Sequence, residues 1–506
     1  MAAVYNKELL FGWYLLTLKL RETVESRLTK KSSYGGKIVP DYEPRPPKSE
    51  WVISIDEKLS IEEKLTRGRQ DNVPGSWANL SIYRIPCHLK HGEDKAWVPQ
   101  IVSLGPYHHG DEHLRHMERH KWRCLHRILE RSGQGIGLYL DSVKKVEQRA
   151  SACYEERISM SRDKFVEMLV LDGCFVIELL QGFTEGFEKL GYPPNDPVFS
   201  MRGSILQIQR DMIMLENQIP LFILDRLLGF QLGDPKQKGR VAKLAIQFFD
   251  PPRFCDTLML MLGLFSKDDC EILKDNNGRL KFDPLCDHGK VHCLEVLRWS
   301  LLHLGPKRSY TKQWSQSRQQ QIFCLTELRE AGIEIRLRDD SSTWGDIQFK
   351  NGILRIPPLK IHEGTRSLFL NLIAFEQSHF DCSNYITSYV IFMHNLINSP
   401  EDVRYLRNLD RGIIEHCLGS DAEVVDLFRR LCQEVAFDHE DSYLWDISIE
   451  LRAYYSRKWN AWVAVLKNKY FDSPWSTISL IAAFLLLVLT CIQSFYAVYA
   501  YYRPRS

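Results

Sequence analysis

Residues 163–180 read DKFVEMLVLDGCFVIELL. Phe165, Met168, Leu169, Phe175, Val176 and Leu179 recur at three- and four-residue steps and share one helical face, so the stretch predicts a buried helix. Asp172 falls on that same apolar face. A carboxylate there is costly unless it is paired or hydrogen-bonded, so the helix predicts a partner as well as a core.

Further helices follow on either side. Leu114 to Leu129 can form one that ends near the glycines at 133, 135 and 137. Another is expected from Ile205 to Ile219, where Ile205, Ile208, Met212, Leu215 and Ile219 make a buried stripe. Pro220 lacks an N–H and restricts Ile219. It should end that helix and open the next at its first position, through Leu221 to Leu228, closed by Gly229. Ile333, Ile335 and Leu337 alternate with charged residues, and Asn351-Gly352 separates IQFK from ILRI. Asn-Gly is the strongest short-range hairpin signal, so a small antiparallel sheet is expected near 333–357. Helices should resume from about Glu363 to Lys469.

The C-terminal end differs in kind. Ser473 to Tyr502 carries no charged side chain, and Ile478 to Ala500 reads ISLIAAFLLLVLTCIQSFYAVYA. At about 1.5 Å per residue this matches a hydrocarbon core roughly 30 Å thick. Trp475 lies at one end and Tyr496, Tyr499, Tyr501 and Tyr502 at the other, as in an aromatic belt. A single transmembrane helix is expected over 475–502. Arg457, Lys458, Lys467 and Lys469 precede it and only Arg503 and Arg505 follow. The positive-inside rule then puts the large domain in the cytosol. A span of this length suits a plasma membrane.

The 506 residues have a mean hydropathy of −0.27, which suits a soluble body before the span. A formal charge of +2 offers no electrostatic case for nucleic acid. The 13 cysteines are scattered without a CxxC pair and read as reduced thiols. Residues 1–79 read as an N-terminal extension: an amphipathic helix with Leu9, Trp13, Leu16 and Leu20 on one face, then a Pro/Gly-rich linker. The soluble domain, mostly helical, is expected over 80–466, with 467–474 as the juxtamembrane segment. Asn79-Leu80-Ser81 is a glycosylation sequon that matters only if this side is lumenal.

Several constellations could carry chemistry. Glu216 and Asn217 sit beside the apolar stripe much as Asp172 does, and the partners expected for these three are Arg210, Lys121, Arg84 and His109. These seven residues are candidates for a buried polar network that pins the helices in register; an acid–base site with shifted pKa values is the alternative. His109, His113, His116 and His120 fall at helical spacing, which could suit a transition metal, but Gly110 interrupts them and a solvated face is expected instead. Cys286, His288, His292 and Cys293 have zinc-binding side chains at a spacing that matches no standard finger, so no metal is expected. There is no GxSxG, HExxH or GxxxxGK[ST], and GQGIG (133–137) is not GxGxxG, so no cofactor is expected.

Ten stretches occur together in order: SIYRIP (81–86), PQIVSLGPYHHG (99–110), MERHKWRCL (117–125), LVLDGCFVIELL (169–180), RDMIMLENQIPLFIL (210–224), ELREAGI (327–333), ILRIPPLKI (353–361), LFLNLIAFEQ (368–377), ITSYVIFMHNLINSPEDV (386–403) and YFDSPWSTISLIAA (470–483). In these the chain resembles a plant-specific family, the "domain of unknown function 247". His394, His113 and His116 depart from its pattern. The resemblance implies a mostly helical domain with a C-terminal anchor and no established activity. Some grass members are associated with self-incompatibility, which implies recognition. The expectation is therefore a mainly α protein: a large multi-helix domain, a small antiparallel hairpin or sheet insertion, and one C-terminal transmembrane helix. It is expected to work as an interaction or recognition module at a membrane surface, with a protein partner. An enzyme of unknown reaction, or a ligand-binding ectodomain of inverted topology, is the alternative.

Overall fold

The computed structural model describes residues 80–90, 94–234, 239–249, 291–302, 323–338, 345–379, 382–409, 412–456 and 474–502. Asn79, Cys286, His288, the N-terminal extension and most of the juxtamembrane segment lie outside the described residues.

The main helices of the first half are α1 (Arg115–Ser132), α2 (Ile136–Lys144), α3 (Glu147–Ser151), α4 (Arg162–Glu185), α5 (Arg202–Met212), α6 (Leu221–Gln231) and α7 (Arg240–Phe249). The centre is α4, buried on every side from Phe165 to Phe183 except at Glu167, with α1, α2, α6 and α7 packed around it. A helix apolar nearly all round must be enclosed in this way. Ser161 caps its start by accepting from the Lys164 N–H. Gly173 lets α6 approach, since a Cβ there would lie 2.5 Å from Leu227 Cδ1. Gly133 ends α1 in the left-handed conformation, its N–H bonded to the Leu129 carbonyl.

The second half contains α8 (Cys293–Leu302), α9 (Leu325–Glu330), β1 (Glu334–Leu337), β2 (Gln348–Lys350), β3 (Ile353–Ile356), β4 (Leu359–Ile361), α10 (Glu363–Ser378), α11 (Tyr385–Leu396), α12 (Pro400–Asn408), β5 (Ile414–His416), α13 (Asp421–Leu431) and α14 (Trp445–Tyr455). The hairpin forms where Asn-Gly places it: β2 and β3 are antiparallel, and Asn351 and Gly352 adopt φ of 54° and 77°. The sheet around it is mixed, with order β1-β3-β2 and β1 parallel to β3. Hairpin chemistry fixes only the local pair. The partner of β1 comes after β2 in the chain, and with β2 occupying one edge of β3, β1 takes the other. A second surprise is β5, inside the stretch expected to be helical, which pairs parallel with β4.

The largest departure is at the third predicted helix. α5 stops at Met212, and residues 213–219 form turns and irregular backbone although Ile213, Leu215 and Ile219 are buried. Pro220 then precedes α6 as its cap rather than as its first residue. The helix stops early because the Asn217 and Gln218 amides donate to carbonyls at its end. Asn217 Nδ2 reaches Asp211 O at 3.0 Å, and Gln218 Nε2 reaches Met212 O and Met214 O at 2.7 Å each. Side chains of this kind compete with the backbone ladder.

The last element, α15, runs Pro474–Tyr502. Its window Ile481–Val498 has a mean hydropathy of 2.2 and none of it is buried. Among the described residues it is the one helix long and apolar enough to cross a membrane.

Candidate functional site

Gln100 to Gly105 is an extended segment, buried from Val102 to Gly105, that belongs to no sheet. Its peptide groups must find partners elsewhere, and side chains supply them. Both Asp211 oxygens accept: Oδ1 from the Gln100 N–H at 2.9 Å, Oδ2 from Ile101 and Val102 at 2.7 and 3.0 Å. Asn217 continues the ladder, Oδ1 accepting from Leu104 N at 2.6 Å and Nδ2 donating to Val102 O at 3.0 Å. Asp172 Oδ2 accepts from Gly105 N at 3.0 Å. Lys121 Nζ donates to Ser103 O at 2.7 Å, to Glu118 Oε1 at 2.6 Å and to Asp172 Oδ1 at 2.6 Å. Side chains from α1, α4, α5 and the turn after α5 thus do for this segment what a neighbouring strand does in a sheet.

Electrostatics follow from that packing. Burial alone would lower the Lys121 ammonium; the Asp172 and Glu118 carboxylates overcome it and hold it above its ordinary value. Burial raises the Asp211 carboxyl, against the pull of its N–H donors. Gly105 is the one residue that fits its place. Its φ is +76°, and a Cβ would meet the Gln218 carbonyl oxygen at 2.4 Å. That same carbonyl accepts from Tyr154 Oη at 3.0 Å. The turn is tied to the second half of the fold by Asn371, whose Oδ1 accepts from Leu215 N at 2.8 Å and whose Nδ2 donates to Ala96 O at 3.1 Å.

Glu216 forms the outer edge of the cluster. Its Oε1 accepts from Ile85 N and Lys90 Nζ, both at 2.8 Å, and its Oε2 from Arg84 Nη1 at 3.1 Å. Burial opposes its ionisation, but Lys90, the Ile85 N–H and Arg84 win and hold it below the usual carboxylate range. Arg84 also bonds Glu156 at 2.8 Å and lies 4.0 Å over the Tyr107 ring. His108 stands between two carboxylates, with Nδ1 3.1 Å from Asp111 and Nε2 3.8 Å from Glu216. Burial outweighs both and lowers its pKa.

The structure therefore joins Arg84 to Glu216 and Lys121 to Asp172, and sets Asn217 between them. It does not bring in His109, which is exposed; Arg210 donates instead to the Lys95 carbonyl and acts on the cluster only as a charge near Asp211. The histidine that faces Glu216 is His108, and a pair of adjacent loop histidines has no periodicity to say which turns inward. Asp211, Lys90, Ser103 and Gln218 complete the cluster without having been singled out from sequence. Asp211 had a weak signal, since it lies at the edge of the stripe through Ile208 and Met212. Among the other histidines, His113 and His116 are exposed and His120 is partly so; His113 Nε2 lies 2.9 Å from Pro99 O.

Of the four weak metal candidates, His292 and Cys293 are described and both are buried. Both ring nitrogens of His292 are engaged by backbone, Nε2 with Ser81 O at 3.0 Å and Nδ1 accepting from Glu295 N at 3.3 Å. Among the described residues no three His, Cys, Asp or Glu side chains are placed to hold a metal. Burial pushes the His292 imidazole down to about 3, against roughly 6.5 in an unfolded chain. The folded protein thus holds a neutral ring, and the stability this contributes is present above pH ~6.5 and lost as pH falls. The expected loss from this ring is about 1.4 kcal/mol per pH unit below ~6. Denaturation midpoints at successive pH values should show that slope in the wild type and lack it in His292→Gln. Equal slopes would mean that the ring titrates normally in the folded state.

Each oxygen of Asp172, Asp211 and Glu216 accepts from at least one N–H donor or cation, although burial still raises the Asp172 carboxyl against the pull of Lys121. A small cleft of about 30 Å³ lies elsewhere, between Leu89, Trp97, Leu370, Ile373, Leu431 and Val435.

The architecture is that of a large helical domain followed by an apolar C-terminal helix. The chain belongs to the plant family designated domain of unknown function 247 and described as "plant protein of unknown function", whose model matches residues 82–489. It is 30% identical over 452 residues to the UPF0481 protein At3g47200 of Arabidopsis thaliana, covering 84% of this chain and 87% of that one. A putative UPF0481 protein of the same plant, At3g02645, is 24% identical over 525 residues, covering 89% and 95%. No solved structure matches the chain.

Proposed function

We propose that this is a single-span membrane protein, anchored at its C-terminus in the plasma membrane, whose helical domain is a cytosolic module for recognising a protein partner. The observation that carries the reading is α15: 29 residues without a charged side chain, its apolar window wholly exposed. Exposed Phe484, Leu485, Leu486 and Leu487 (55–65% accessible) would be unfavourable in water and are at home in lipid. The excess of Lys and Arg before the span supports the cytosolic side. That the carboxylates of the cluster are engaged by backbone N–H groups and cations supports a rigid recognition scaffold over an acid–base site.

Protease protection on sealed vesicles, with an N-terminal tag and glycosidase treatment, tests the topology. Digestion from the cytosolic side with Asn79 unmodified is the expected result. Protection together with a glycosidase-sensitive mass would place the domain outside and make it an ectodomain.

A further inference from the structure

The outer face of α1 carries a charge pattern that neither the fold nor the polar cluster uses. From Arg115 to Ser132 the helix holds Arg115, Arg119, Lys121, Arg123, Arg127 and Arg131 against Glu118 and Glu130. Several of these are accounted for: Lys121 by Asp172, Arg131 by Glu178, Arg123 by Asp196. Arg127 lies 5.7 Å from the Tyr192 ring centre. Arg115 and Arg119 make no ion pair among the described residues. Glu118 is turned to Lys121 at 2.6 Å and Glu130 to His126 at 3.5 Å, so neither pairs with them; Glu112, also exposed, precedes Arg115 by three residues.

The two arginines are not scattered. Arg115, Arg119, Trp122 and His126 fall at i, i+4, i+7 and i+11, within about 60° of one another around the helix. All four are exposed, and Trp122 is 49% accessible. Burial lowers the flanking His120, and Arg123 and Arg119 lower it further against the pull of Asp196. An unburied tryptophan beside two unpaired arginines suits a surface that is anionic outside and apolar a few ångströms deeper. Phospholipid headgroups over acyl chains have that profile, with tryptophan favoured at the boundary.

We infer that this face of α1 docks on an anionic phospholipid bilayer, the membrane that holds α15. The inference rests on the anchored reading, which keeps the domain beside a bilayer and lets a weak surface contact persist. Arg115 and Arg119 supply attraction to phosphate and carboxylate headgroups, and Trp122 inserts its ring among them. Docking would fix which side of the domain is left to a protein partner.

The test uses the full chain reconstituted in phosphatidylcholine nanodiscs, with or without phosphatidylserine, containing bromine-labelled acyl chains. Because the chain has 12 tryptophans, the signal is the quenching lost in Trp122→Phe. That difference is expected with phosphatidylserine, to be weak without it, and to fade as salt is raised. Each of Arg115→Glu and Arg119→Glu should reduce the docked-to-undocked ratio at least roughly fivefold. Both positions are exposed, and unchanged thermal unfolding of the variants will show that the fold is intact. If the chain inserts but Trp122 quenching is the same in both lipids, or unchanged by charge reversal, the docking inference falls while the anchor stands. Loss of an acidic protein partner in the reversed variants, without a change in quenching, also overturns it. If the chain fails to insert in either lipid, the anchored reading falls and the inference with it.

Discussion

Replacing Asp211 by alanine is expected to destabilise the domain by roughly 2–6 kcal/mol. The substitution strands three backbone N–H groups together, those of Gln100, Ile101 and Val102. Each buried donor left without an acceptor costs about 1–3 kcal/mol. The outermost, at Gln100, can turn to water, since Gln100 is exposed. A whole domain is stable by only about 5–15 kcal/mol, so Asp211→Ala should fall near the threshold for folding. Asp211→Asn retains one side-chain oxygen but sets its amide group against a donor, and should lie between wild type and alanine. Thermal unfolding monitored by tryptophan fluorescence gives the size of the effect. Hydrogen exchange gives its location: the Ile101 and Val102 amides should exchange far faster in Asp211→Ala than expected from the global change. A loss of stability without local deprotection would mean that the carboxylate supports something other than the 100–105 segment.

How much of this was legible beforehand depends on the range of the interaction. Local chemistry was readable: α4 from its apolar period, the β2–β3 turn from Asn351-Gly352, and the end of α1 from the glycines after it. Buried charge was readable in part, because Asp172 interrupts an apolar face and so announces a partner. Which partner was less so, since Lys121 is 51 residues away and only the fold makes the pair. Three features had no local signal. β5 is three residues long and shows no period. The early end of α5 depends on Asn217 and Gln218 bonding back to it, while the apolar spacing of Leu215 and Ile219 imitates a continuing helix. His108 and His109 differ only in the direction each faces from a loop. In each case the decisive partner is a backbone or polar group brought in by the fold, and hydrophobic patterns say nothing of those.

The buried Lys121–Asp172 pair should behave as one unit in a double-mutant cycle. Asp172→Asn removes the charge opposite an ammonium that is fully buried, its side chain 0% exposed. Breaking such a pair costs about 3–5 kcal/mol, and the lower end is expected because Glu118 and the Ser103 carbonyl still hold the lysine. Lys121→Met leaves Asp172 with the Gly105 N–H as its remaining donor and should cost a similar amount. The double variant removes both charges, so no uncompensated ion remains. Its residual cost is the stranded Ser103 carbonyl, about 1–3 kcal/mol, and the coupling between the two sites should be at least about 2 kcal/mol. Additive losses would mean that the two side chains act separately and that the 2.6 Å contact carries little energy. The same variants decide between the two roles open to Asp172. A structural role predicts that Asp172→Asn loses partner binding only in proportion to its lost stability, and that the double variant recovers both together. If Asp172→Asn melts like the wild type yet abolishes function, and Lys121→Met does not restore it, then the carboxylate is needed for its proton chemistry and the structural role is incidental to it.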